Sequence, residues 1–173
     1  MPVGTMPSGF KLPGSGYDLN GFEAIRFCRK DPWYPALAQR TASRFRSRVS
    51  ETYESGGSMG VVILTAQANA EALMAELRAA AAACQPKTAE WMGKPVTVPS
   101  AGPWQDAFGV AIEYLDKGKP IVDAYGTTAL VVRRGRTVAA ATTWTMYSQP
   151  VSGEPAEIDG LLSDLAAVLK TTP

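Results

Sequence analysis

Apolar residues return at helical intervals in two stretches of the chain. Over residues 66–83 alanine and leucine dominate, and no glycine or proline interrupts them. Leu73, Leu77, Ala80, Ala81 and Cys84 fall along one stripe, which predicts a helix with a buried face. Gln85-Pro86 stops it. Near the C-terminus Ile158, Leu161, Leu162, Leu165, Val168 and Leu169 form a second stripe and predict a helix over about 155–169. A third helix is predicted over 35–48, "PALAQRTASRFRSR". Pro35 suits a first helical turn. Leu37, Ala38, Ala42 and Phe45 repeat near the helical period, while Arg40, Arg44 and Arg48 share another face.

Between these stretches the pattern changes to strands. Residues 48–54 alternate, 55–60 ("SGGSMG") form a flexible turn, and 61–65 ("VVILT") are a β-branched, buried strand, so the three make a hairpin. Residues 85–106 are punctuated by proline, with a short strand at 95–98. Strands follow over 107–115, 121–134 and 137–147, separated by "DKGKP" at 116–120 and by a tight turn at Gly135. On the last of them Val138, Ala140, Thr142, Trp144 and Met146 share one face. Short hairpins imply antiparallel pairing, and amphipathic helices need an apolar sheet to cover. The expected fold is α+β: a two-layer domain with an antiparallel β-sheet and about three helices packed on one face. Residues 1–22, rich in glycine, proline and serine, are expected to be a flexible arm, and 23–173 a single domain. The "DPWYP" segment at 31–35 is expected to be a loop.

Composition narrows the chemistry. With 46% hydrophobic and 19% charged residues the chain can build a core. A net charge of +1 supplies no global field for nucleic acid or an anionic membrane surface. No apolar run reaches the length of a membrane span. The chain has no histidine, so a Ser-His-Asp or Cys-His site cannot form within it. The two cysteines are too far apart in sequence for a zinc spacing, and no metal or other cofactor is expected. The first residues show neither a basic n-region nor an apolar h-region. A cytoplasmic protein and a chain whose leader has been removed both fit that start.

Cys84 lies on a buried stripe at a helix C-terminus, where the dipole disfavours a thiolate. A buried core thiol and a disulfide to Cys28 both fit the residues. Glu113, Asp116 and Asp123 cluster around one turn and are read as solvated in preference to catalytic. The arginine face of 40, 44 and 48 and the hairpin-tip arginines Arg133, Arg134 and Arg136 are read as solvated charge. Six aromatics fall in the strands or their loops: Trp91, Trp104, Tyr114, Tyr125, Trp144 and Tyr147. Such side chains offer an apolar wall with polar handles, suited to a small organic or lipidic ligand. Ordinary core packing is the competing explanation.

The helix ending "AELRAAAAAC", the preceding hairpin "RVSETYE…VVILT", the later strand "ALVVRRGRTVAAAT" and the final amphipathic helix together resemble the PknH-like extracellular sensor domains of actinobacterial lipoproteins and serine/threonine kinases. The resemblance spans roughly residues 28–170. It implies an antiparallel sheet with packed helices, a cleft, an extracytoplasmic location, at least one disulfide and no known catalysis. On that basis Cys28 and Cys84 are expected to be bridged. The chain is expected to be a non-catalytic, envelope-tethered sensor or binding domain for a small, partly apolar ligand. The rival expectation is a small cytoplasmic, histidine-free enzyme of the natural-product cyclase type, folding an apolar substrate in an aromatic-lined cavity.

Overall fold

The computed structural model describes residues 27, 34–49, 55–85, 88–120, 126–145, 155–170 and 172. A 3-10 turn at Pro35–Gln39 leads into β1 (Arg40–Val49) and β2 (Ser55–Leu64). Helix α1 (Gln67–Ala82) follows, then β3 (Trp91–Val96), β4 (Asp106–Asp116), the two-residue β5 (Lys119–Pro120), β6 (Gly126–Arg134), β7 (Thr137–Thr145) and α2 (Pro155–Lys170). The strands form a seven-stranded sheet in the order β1-β2-β7-β6-β4-β3, with β5 pairing β4. Every pairing is antiparallel. Strands β3, β4, β6 and β7 run as a meander whose last member closes against β2. Helix α1 carries the chain from β2 to β3 at the far edge. The β4–β5 turn holds Lys117 and Gly118 at positive φ (48° and 81°), the backbone of a tight hairpin turn whose twist matches the strands it joins.

Both long helices stand where the apolar stripes put them, and the fold is α+β as expected. Their placement differs from expectation: they cover opposite faces of the sheet. Leu73, Met74, Leu77 and Ala81 of α1 pack with Val62, Leu64, Val110, Ile112, Ala129, Val131, Val138 and Ala140. Leu161, Leu162, Leu165, Val168 and Leu169 of α2 pack with Met59, Val61, Leu130, Val132, Ala139 and Ala141. Successive residues of β2, β6 and β7 therefore enter different cores, because neighbouring side chains of a strand point to opposite faces. Buried on both sides, the central strands are near-continuous apolar runs such as "ALVV", the pattern of a sheet covered twice. The described residues form three layers, helix on sheet on helix, in place of two.

The predicted helix over 35–48 is corrected as well. Only 35–39 turn helically; 40–49 are strand β1, paired with β2 from Arg40↔Leu64 to Val49↔Gly56. Arginines four positions apart fit a helix and a strand equally, since four is close to one helical turn and is also an even number. Hydrogen bonding to β2 decides between the two readings. The glycine-rich stretch 55–60 is likewise strand and not turn. It lies between β1 and β7 and pairs with both, so two ladders supply the order that its small side chains do not. The arm 1–22, Cys28, most of the 31–35 loop, Tyr125, Met146, Tyr147 and the side chain of Trp144 lie outside the described residues.

The β6–β7 hairpin tip does more than carry solvated charge. Arg133 is buried and points to the α1 side, where Nη1 donates to Gln105 Oε1 (3.3 Å) and Gly135 O (3.1 Å). Its Nη2 lies 3.8 Å from the Glu71 carboxylate of α1. Arg134, one position on, faces the other helix and donates to Leu169 O (3.3 Å) near the end of α2. A cation at a helix C-terminus meets both the unpaired carbonyls and the negative end of the dipole. One hairpin thus holds a helix on each face.

Candidate ligand-binding site

The antiparallel register of β3 and β4 sets Trp91 opposite Tyr114 and Gly93 opposite Ile112. Trp91 and Tyr114 are half-buried and pack against the α1-side core, beside Ala80 and Phe108. Helix α1 ends directly above them. Cys84 and Gln85 close its last turn, donating to Ala81 O and Ala82 O at 3.0 and 3.1 Å. The carbonyl of Cys84 then accepts the N–H of Gly93 at 3.0 Å. A β-carbon at position 93 would stand 2.5 Å from that carbonyl oxygen, so only glycine lets the helix end sit on the strand. Thr88 Oγ1 accepts the backbone N–H groups of Glu90 (3.1 Å) and Trp91 (3.0 Å) and fixes the entry into β3.

Two features of this corner stand out chemically. The indole Nε1 of Trp91 is buried and has no hydrogen-bond acceptor among the described residues. A buried donor left unpaired costs about 1–3 kcal/mol, and an acceptor supplied by a bound molecule would recover it. The Cys84 sulfur is also buried, 3.5 Å from Ala80 O, and shares its core cluster with Phe27, the residue preceding Cys28. Among the described residues no cysteine is free.

The aromatics singled out in the sequence do not form one wall. Trp91 and Tyr114 meet on the α1 side. Trp104 belongs to the opposite side, packed with Val96, Val98, Ala107 and Ile158 against the α2 core. Its indole N–H is satisfied by Pro99 O at 3.0 Å, and its ring fills the space beside Gly102. That is the geometry of a loop anchor. The backbone of Trp144 lies in β7, opposite Gly56 and Thr127.

The carboxylates form no acid–base pair among the described residues. Glu113 lies in an exposed pair with Lys94 (3.5 Å), Asp116 is exposed at the end of β4, and Asp123 lies outside the described residues. Asp106 is paired with Arg78, whose guanidinium also reaches Ala107 O (3.2 Å) and lies 4.9 Å from the centre of the Phe108 ring. Sequence reasoning missed Tyr34. It is buried, and desolvation, with the nearby Glu76 charge adding to it, pushes its phenol well above the usual tyrosine range. Glu76 itself accepts the Ala36 N–H at 3.3 and 3.4 Å, tying the segment before β1 to α1. The available signal was the run of aromatics before Pro35.

No protein-family model matches the sequence, and no curated protein matches it. Among solved structures the fold is similar to the extracellular domain of PknH from Mycobacterium tuberculosis. The TM-score is 0.54 at 12% identity, over 80% of this chain and 70% of that one. The STAR-related lipid transfer protein from Xanthomonas axonopodis also aligns, with a TM-score of 0.35 at 16% identity over 94% of this chain and 99% of that one. The likeness to the PknH extracellular domain is a likeness of fold.

Proposed function

We propose that the chain is a non-catalytic extracytoplasmic sensor or binding domain for a small, partly apolar ligand. In this reading residues 1–22 are a tether to the cell envelope, 23–173 are one domain, and Cys28–Cys84 is a disulfide. The observation that carries the binding function is the Trp91–Tyr114 corner, where an apolar wall holds a buried indole donor that no acceptor among the described residues meets. A flat apolar ligand with one oxygen acceptor complements it. The extracytoplasmic placement draws support from the fold shared with an extracellular domain and from the cysteines. Phe27 and Cys84 lie in one core cluster, and no described cysteine is free. Among the described residues no helix is long and apolar enough to cross a membrane, so in this reading anchorage falls to the arm.

The chain has four tryptophans, and each indole N–H gives its own nitrogen-correlated NMR resonance. Titration with a panel of small aromatic carboxylic acids and short fatty acids is expected to shift the Trp91 indole resonance downfield and leave that of Trp104 in place. Trp91→Phe should abolish the binding while Trp104→Phe retains it. A panel that moves Trp104 and spares Trp91, or moves neither, refutes the site.

A further inference from the structure

The two edges of the sheet are treated differently. At β3 the donors facing away from β4 are those of alternate residues 91, 93 and 95. The Trp91 N–H is bonded to Thr88 Oγ1 and the Gly93 N–H to Cys84 O, and Pro95 has no N–H. That edge cannot recruit another strand through its amides. Strand β1 has the opposite character. It runs in unbroken register with β2 from Ala42 to Val49, after an irregularity between Arg40 and Ala42. It ends the sheet order, with no strand on its far side among the described residues. Its sequence, "RTASRFRSRV", contains no proline to interrupt a ladder. An edge that no described residue pairs is a template for strand addition.

The charge on β1 selects among the strands that could add. Arg40, Arg44, Arg46 and Arg48 lie in it, and no acidic residue does. A second copy of the same edge would bring arginines against arginines, and like charges across a ladder are destabilising. An arginine guanidinium can take a carboxylate through two parallel hydrogen bonds. Repulsion of its own kind and attraction of acidic chains is how an open edge gains specificity. We propose that β1 is a docking edge, which takes an extended acidic segment of a partner protein as an added antiparallel or parallel strand. This is independent of the ligand corner, which lies at the other end of the sheet order.

The test uses the whole folded chain and three synthetic probes: a short alternating Val-Glu peptide, its Val-Lys counterpart, and a Val-Glu peptide with alternate backbone nitrogens methylated. The Val-Glu peptide is expected to bind and to shift the amide resonances of 42–49. Its affinity should fall roughly tenfold or more between about 0.05 and 0.5 M salt, as screening requires. The methylated peptide should fail to bind. In the Arg44→Glu/Arg46→Glu variant, checked for native amide dispersion, preference should pass to the Val-Lys peptide. Equal binding of both charge types, equal binding of the methylated peptide, no binding at all, or pairing of β1 only with a second copy of the chain would each overturn the proposal.

Discussion

The two faces of the sheet are built from the same strands yet held by different means. Among the described residues the α2 face is largely apolar: the helix stripe packs on alanine, valine, leucine and methionine, the buried Thr128 and Thr137 share that face, and Arg134 bonds to the helix end. The α1 face carries the polar machinery: the buried Arg133, the Glu76 bond to the 3-10 turn, the Arg78–Asp106 pair, Cys84 and the unpaired Trp91 donor. One face stabilises the sheet by burial. The other also fixes the chain segments that frame the candidate site. Buried polar groups are expensive unless satisfied, and Arg133 and the Trp91 indole place such groups on the side of the candidate site.

The sharpest way to separate the faces is the proposed disulfide. Reduction of Cys28–Cys84 should lower stability on the order of 4 kcal/mol in the chain-entropy model, read by denaturant unfolding with and without reductant. Two freely alkylated thiols in protein folded under oxidising conditions would remove the staple altogether. Next in size, Leu77→Ala on the α1 face and Leu165→Ala on the α2 face should each cost about 2–5 kcal/mol, since both side chains are fully buried. The faces should differ in coupling. The Leu77 loss should depend on the redox state, because Leu77 shares the Cys84 cluster, while the Leu165 loss should add independently. Identical coupling for both would erase the distinction.

Glycines give a comparison of opposite sign. Gly93→Ala should destabilise by about 1–3 kcal/mol, because its β-carbon meets the Cys84 backbone. Gly160, in α2, has open space where a β-carbon would stand, so Gly160→Ala should stabilise by about 0.5–1 kcal/mol. Circular dichroism melts of the two variants, moving in the same direction, would contradict the packing described. The smallest effect is at high pH. The Tyr34 pKa is raised in the folded state, so its contribution is fully present below the unfolded value, near 10. It is lost as pH climbs toward the folded value, because the unfolded chain then releases a proton that the folded chain keeps. Stability should begin to fall above about pH 10, and Tyr34→Phe should flatten that decline. An unchanged slope would place the effect elsewhere.

Much of this was legible in the residues. The stripes of 66–83 and 155–169 give α1 and α2 within a residue or two, because an uninterrupted helical period over four turns has no competing interpretation. The Gly135 turn and the strands around it were equally plain. For β1 the sequence was ambiguous, since its charge spacing fits two periods at once. The glycines of β2 looked like a turn because their order comes from two neighbouring ladders. The aromatic set showed the same limit: Trp91 and Tyr114 were visible as candidates, but nothing local said that Trp104 would serve the opposite face.

The sequence by itself therefore determined the two helices, most of the strands, the absence of histidine chemistry and the candidate aromatics, all of which depend on residue type and short-range period. Tertiary structure alone decided that the sheet is covered on both faces, that residues 40–49 are an edge strand, and that Trp91 meets Tyr114 beneath the end of α1. Those facts rest on hydrogen bonds and contacts between residues far apart in the chain. Local propensity carries no information about such partners.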